Sequence, residues 1–146
     1  MKTAVKRVPD GYQALIPYFA VADAAALLQF VKAAFGAEEI SRMAGPDGVI
    51  RHAEARIRDS VLMLGQTPNP RSNMIYMYVE DVDATYRRAM SAPGVGKSIR
   101  EPTDEWYGDR SAAVQDAQGN QWWFATHIED VTPEEMARRA AAHKGG

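Results

Sequence analysis

Apolar and polar residues run along this chain in two similar series. Ala14-Leu15-Ile16-Pro17-Tyr18-Phe19-Ala20-Val21 reads as a strand, with Pro17 tolerable only near its start or at a sheet edge. Asp23 then stands where a helix N-cap belongs. Ala24 to Phe35 follows as a helix, with Leu27, Phe30, Val31 and Ala34 as its apolar stripe and Gly36 as its stop. Strands are predicted over about Glu38–Met43, Val49–Ile57 and Val61–Leu64, separated by the turns Gly45-Pro46-Asp47-Gly48 and Arg58-Asp59-Ser60. Thr67 to Asn73, with Pro68 and Pro70, is a polar connector.

After the connector the series begins again. Ile75 to Val79 reads as a strand, Asp81 as an N-cap and Asp83–Ser91 as a helix ended by Pro93-Gly94. Three more strands are predicted near Gly96–Arg100, Ser111–Gln115 and Gln121–Thr126. A shift of 58 positions aligns Tyr18 with Tyr76, Val21 with Val79 and Asp23 with Asp81. The same shift aligns Ala26 with Ala84, Ala34 with Ala92 and Gly36 with Gly94. These identities fall at strand ends, caps and stops, so the chain reads as two βαβββ modules joined by residues 67–73. Thr132-Pro133-Glu134-Glu135 opens a further helix that runs to His143.

Composition narrows the function classes. The 146 residues contain no cysteine, which excludes a disulfide scaffold, a thiolate zinc site, an iron–sulfur cluster and a cysteine nucleophile. Seventeen Lys+Arg against nineteen Asp+Glu leave a formal net charge of −2, with no bulk attraction to nucleic acid. No apolar run is long enough to span a membrane, so the expectation is a cytoplasmic protein with no nucleic-acid or membrane partner. No phosphate-cradling glycine loop, nucleophile elbow or zinc-protease helix motif is present, and Gly94-Val95-Gly96 is a turn with no helix opening after it.

Paired βαβββ modules resemble the glyoxalase / bleomycin-resistance / extradiol-dioxygenase group, the vicinal oxygen chelate superfamily. Several stretches are similar to its PhnB-like branch: Ile16-Pro17-Tyr18, Ala34-Phe35-Gly36-Ala37-Glu38-Glu39, His52-Ala53-Glu54, Asp59-Ser60-Val61-Leu62-Met63-Leu64 and Tyr107-Gly108-Asp109-Arg110. Asp116-Ala117-Gln118-Gly119-Asn120-Gln121-Trp122 resembles that branch's Asp-Pro-Phe-Gly-His-x-Trp hairpin, with Ala, Gln and Asn in place of Pro, Phe and His. The resemblance implies an α+β fold, two βαβββ modules whose curved mixed sheets form a cup, plus the C-terminal helix. It implies one glyoxalase-like domain over 1–146, with module one about 12–66, module two about 73–127 and the helix about 132–143. A homodimer is expected, because open sheets leave edges that this superfamily buries between subunits.

The resemblance also implies an address for a divalent metal, on the first and last strand of each module. Matched position by position, that address holds Ile16, Leu62 or Met63, Met74 and Trp123. None is an oxygen or imidazole ligand, so no metal and no other cofactor is expected there. The expected function is to bind a small organic molecule in an aromatic-lined cup without the usual metal. The alternative is a metal-dependent lyase, isomerase or dioxygenase with a relocated site around His52 and Glu54.

Strand alternation selects the remaining candidates. His52, Glu54 and Arg56 share one strand face, and Ala53, Ala55 and Ile57 share the other. The polar face is either salt-bridged and solvated or the polar end of a ligand site, with His52 and Glu54 as acid/base candidates. Tyr18, Met74, Tyr76, Tyr78 and Trp123 alternate inward, Trp106 and Tyr107 precede the seventh strand, and His127 continues the alternation of Trp123. Together these aromatic and thioether groups suit a flat organic ligand, or else they are core or dimer interface. Trp122 and Phe124 alternate to the helix side as core. Arg110 either reaches an anionic group on a ligand or pairs with Asp109.

Overall fold

The computed structural model describes residues 4–143. Its elements, in chain order, are β1 (Tyr18–Val21), α1 (Ala24–Phe35), β2 (Glu38–Ala44), β3 (Ile50–Ile57), β4 (Ser60–Gln66) and β5 (Met74–Tyr78). They continue with α2 (Val82–Ser91), β6 (Val95–Asp104), β7 (Asp109–Asp116), β8 (Gln121–His127) and α3 (Pro133–His143). The chain divides into two compact units, Met1–Ser72 and Asn73–Gly146. Each unit carries one open four-stranded sheet, ordered β1-β4-β3-β2 in the first and β5-β8-β7-β6 in the second. In both, the first strand pairs parallel with the last and the other pairs are antiparallel. This is the α+β, twice-repeated βαβββ arrangement of mixed sheets that the pattern predicts, with α3 added.

The two helices begin alike and end differently. Asp23 accepts from the Ala26 backbone N–H at 3.0 Å and Asp81 from that of Ala84 at 3.0 Å, so both caps are real. Gly36 sits at φ 68 and donates its N–H to Lys32, closing α1 in the left-handed conformation that glycine adopts without strain. Its counterpart Gly94 does not close α2. There the residue before Pro93, Ala92, is extended, because proline excludes its predecessor from the helical region.

Each helix covers one face of its own sheet. Under α1 the first sheet buries Phe19, Val21, Ala53, Ala55, Leu62 and Leu64. In the second unit Trp122, Phe124, Ala112 and Val114 are fully buried, as the period-2 reading of the last strand requires. Two strands differ from their expected bounds. β1 starts at Tyr18 and not Ala14, since Pro17 has no N–H to donate, although its carbonyl still accepts from Met63 N at 3.0 Å. β6 runs four residues beyond Arg100 to Asp104, through three register shifts that break the alternation used to read it.

Candidate functional site

The faces turned away from the helices carry the chemistry. In the second unit, pairing sets Met74 beside Gln121, Tyr76 beside Trp123 and Tyr78 beside Ala125, while Asp109 lies opposite His127 at the end of β7. Met74, Tyr76 and Tyr78 are all exposed, at 63%, 42% and 56%, and Trp123 is half-buried. The Tyr76 and Tyr78 rings meet edge to face at 5.7 Å. Both phenols cross the small Ala125 on β8 and donate to one oxygen, Asp109 Oδ2, at 2.8 and 3.0 Å. Tyr107 lies near enough to hold the Tyr76 phenol further toward its protonated form.

Asp109 is almost fully buried, yet ionised. Burial alone would raise its pKa, but hydrogen bonds from His127, Tyr76 and Tyr78 outweigh that and hold it below the ordinary carboxylate value. Its other oxygen faces His127 Nδ1 at 2.9 Å, and Asp130 faces His127 Nε2 at 2.8 Å. With a carboxylate at each ring nitrogen, first Asp109 and then Asp130, the imidazole is pushed toward its protonated form and its pKa is raised. The same carboxylate makes the phenols harder to ionise. Burial and then Asp109 raise Tyr76, and the Asp109 hydrogen bond raises Tyr78. Gly108 makes the geometry feasible: at φ +100 it lies so close to Glu129 that a Cβ would come within 2.4 Å of that carbonyl oxygen.

Two candidates lie elsewhere in this unit. Arg110 points to the helix side, where it grips Asp83 of α2 through Nε and Nη2 at 2.9 and 3.0 Å and Asp104 through Nη1 at 2.9 Å. Its structural partners are therefore Asp83 and Asp104 and not Asp109, the one expected alternative that the structure corrects. Trp106 packs toward α3, with its ring 5.8 Å from His143 and its carbonyl accepting from Arg139.

The first unit has a polar cluster of its own. His52 Nε2 bonds to Glu54 Oε2 at 2.8 Å, and His52 Nδ1 meets the Tyr18 hydroxyl at 3.3 Å. Glu54 is 8% exposed and also accepts a very short hydrogen bond from the Tyr12 hydroxyl. Hydrogen bonds from His52 and then Tyr12 hold its carboxyl below the ordinary value. The salt-bridged and site readings of His52 and Glu54 thus meet in one arrangement, a buried carboxylate that ends in an exposed phenol. Arg56 turns instead to the Gly11 carbonyl.

Sequence reasoning missed Tyr12, Asp109 as an anchor, Asp130 and Gly65. Tyr12 precedes the first element and gives no periodicity to read; the Pro9-Asp10-Gly11 turn that presents it was its only signal. At the superfamily's metal address, the structure chooses between two residues. Leu62 is buried at 5%, and Met63 pairs with Tyr18 on the open face. Ile16, Met63, Met74 and Trp123 offer hydrocarbon, two thioethers and an indole, a donor set that does not fit a hard or borderline divalent ion. Among the described residues no group of three or more His, Asp or Glu is placed to hold a metal, and no helix is long and apolar enough to cross a membrane.

A family model for the glyoxalase/bleomycin resistance protein/dioxygenase superfamily matches residues 15–124. The chain belongs to this superfamily. A relative of 32% identity over 147 residues is an uncharacterized protein of Mycobacterium bovis, with 91% of this chain and 95% of that one covered. Among solved structures, TioX from Micromonospora superposes with a TM-score of 0.68 at 22% identity, covering 80% of this chain and 99% of its own. The fosfomycin resistance protein FosX from Mesorhizobium loti does so at 0.59 and 18%, covering 86% and 97%. A PhnB protein from Bacillus cereus reaches 0.62 at 12% identity, covering 78% and 99%. At these identities the likeness is one of fold, and superfamily membership sets no reaction.

Proposed function

We propose that this glyoxalase-superfamily protein is a cytoplasmic binder of a small, flat organic molecule, seated on the aromatic face of the second unit without a metal. One observation carries the reading: three large side chains of β5, Met74, Tyr76 and Tyr78, stand exposed beside the half-buried Trp123 over a buried carboxylate. Isolated exposed apolar residues are ordinary, but a contiguous aromatic patch with polar anchors is the composition of ligand sites. Among the fold neighbours, FosX is described as a fosfomycin resistance protein.

A screen of planar aromatic compounds followed by tryptophan fluorescence tests the reading. Trp123→Ala is expected to weaken a hit about fivefold, the equivalent of about 1 kcal/mol of lost ring contact, while the thermal midpoint stays near that of the wild type. A collapsed midpoint would instead assign Trp123 to the core. Metal analysis of protein purified without chelator belongs to the same experiment and is expected to give well under one ion per chain. One Zn²⁺ or Ni²⁺ per chain, lost on His52→Ala, would favour the alternative of a metal-dependent lyase, isomerase or dioxygenase built on His52 and Glu54.

The reading includes a homodimer. Both sheets are open, with β1 and β2 at the edges of the first and β5 and β6 at the edges of the second. Unpaired edges are commonly covered by a second copy. Light scattering at micromolar concentration is expected to give about twice 16.1 kDa, and a stable monomer contradicts the assembly.

A further inference from the structure

The phenols on the two open faces are held in opposite ways. Tyr76 and Tyr78 donate to a carboxylate, which keeps their protons in place. Tyr18 meets a ring nitrogen, and the partners of that ring decide which way the proton points. Glu54 is ionised and can only accept, so His52 Nε2 must carry the proton in the 2.8 Å bond between them. In the neutral ring Nδ1 then holds a lone pair, and the Tyr18 hydroxyl, 3.3 Å away, is its donor. Tyr12 occupies the other oxygen of Glu54 and fixes that carboxylate from behind.

We infer that Tyr18, His52 and Glu54 form a nucleophile–base–orienter array that makes Tyr18 reactive toward activated acyl esters. The logic is that of any such triad: a weak nucleophile, a base within reach of its proton, and a buried carboxylate that sets the tautomer of the base. A second feature of the fold supports it. The Tyr18 side chain reaches from β1 across β4 to β3 over Gly65, where an added Cβ would lie 2.7 Å from the Tyr18 hydroxyl and 2.5 Å from the Arg51 carbonyl oxygen. Any other residue at 65 would block the approach. The ring is 46% exposed, so an ester can reach it. The titratable groups bonded in this cluster are Glu54, Tyr12 and Tyr18, and Arg56 stands further along the same strand face. Opposite this stretch β2 places Ser41 and Met43, and β4 places Met63 beside Glu54, all uncharged.

In the step itself, the Tyr18 oxygen bonds to the acyl carbon as its proton passes to His52 Nδ1. Breaking the ester C–O bond releases the alkoxide or phenolate with its electron pair, and the imidazolium returns its proton to that group or to water. Tyr18 is left as an acyl ester.

The probe is p-nitrophenyl acetate, with modified residues mapped by peptide mass. The expected result is acetylation of Tyr18 at least tenfold faster than of the more exposed Tyr78, with Tyr18→Phe losing the modified peptide. His52→Gln is expected to slow Tyr18 acetylation at least tenfold. Glu54→Gln is expected to slow it less. Circular dichroism confirms that each variant is folded. If His52→Gln or Tyr18→Phe does not fold, the comparison of Tyr18 with Tyr78 in the unaltered protein decides alone. Equal labelling of the two tyrosines, or a Tyr18 rate unchanged in folded His52→Gln, overturns the assignment.

Discussion

Trp122→Ala is expected to be the most damaging single substitution in the second unit, costing about 4–7 kcal/mol in urea unfolding. Trp122 is fully buried on the α2 side of β8, and truncating a buried indole removes about 3–5 kcal/mol of packing. Its Nε1 also donates to the buried Asp116 Oδ2 at 2.9 Å. The Asp116 carboxylate further accepts from the backbone N–H groups of Gln118 and Asn120, at 2.8 and 3.0 Å, and from Asn120 Nδ2 at 3.0 Å. It therefore organises the whole β7–β8 turn, and losing one donor to a buried carboxylate adds about 1–2 kcal/mol. Trp122→Phe separates the two contributions. It keeps most of the ring volume and loses only the donor, so it is expected to fall about 1–2 kcal/mol below wild type. If Trp122→Ala unfolds within 1 kcal/mol of wild type, the core assignment of β8 is wrong.

The same hairpin shows why the fold is legible in the sequence. Asp116 and Trp122 stand at the two ends of the hairpin motif read in the sequence, and the turn brings carboxylate and indole together. Asn120, standing where the family pattern has His, still serves: its Nδ2 donates to Asp116 and its Oδ1 accepts from Asn73 N at 2.9 Å. Caps and buried stripes are equally readable, because Asp23, Asp81 and the alternation on β8 express local rules of hydrogen bonding and periodicity. Where local rules compete, reading fails. The strand signal of Ala14–Ile16 gives way to Pro17, and the three register shifts of β6 erase its period.

The candidate sites were legible in part for a related reason. Alternation finds Tyr18, His52, Glu54, Tyr76, Tyr78 and Trp123 on open faces, since facing direction is a local property. It cannot find which groups meet. Asp109 looks like an ordinary surface acid beside Arg110, because acidic residues are seldom buried unless paired. Its partners lie on β5 and β8, more than thirty residues before it and eighteen after it. Arg110 shows the converse. One residue along the same strand, it faces the helix, and its anions are Asp83 and Asp104. Pairing across a sheet is a tertiary fact, and only strand register supplies it.

Asp109→Asn is expected to lower stability by about 2 kcal/mol near pH 5.5, and the loss should depend on pH in a defined way. The amide can still accept from Tyr76 and Tyr78, but it removes the buried negative charge that His127 pairs with. In the native protein the Asp109 carboxyl lies below its ordinary 3.8, so its contribution is present above that value and fades as pH falls through the folded pKa. His127 lies above its ordinary 6.5, so its contribution is present below 6.5 and fades as pH rises through its folded pKa. The pair is therefore worth most between about pH 4 and 6.5, and the gap between wild type and variant should be widest there. Urea unfolding at pH 5.5 and pH 9 reads this directly. The gap should narrow at pH 9, where both proteins hold a neutral imidazole. The His127 ring signals in NMR should titrate above 6.5 in the wild type and move down in Asp109→Asn, with Asp130 alone left to favour the cation. A gap of equal size at both pH values, with an unmoved His127 midpoint, would mean that the imidazole and the buried carboxylate are not coupled.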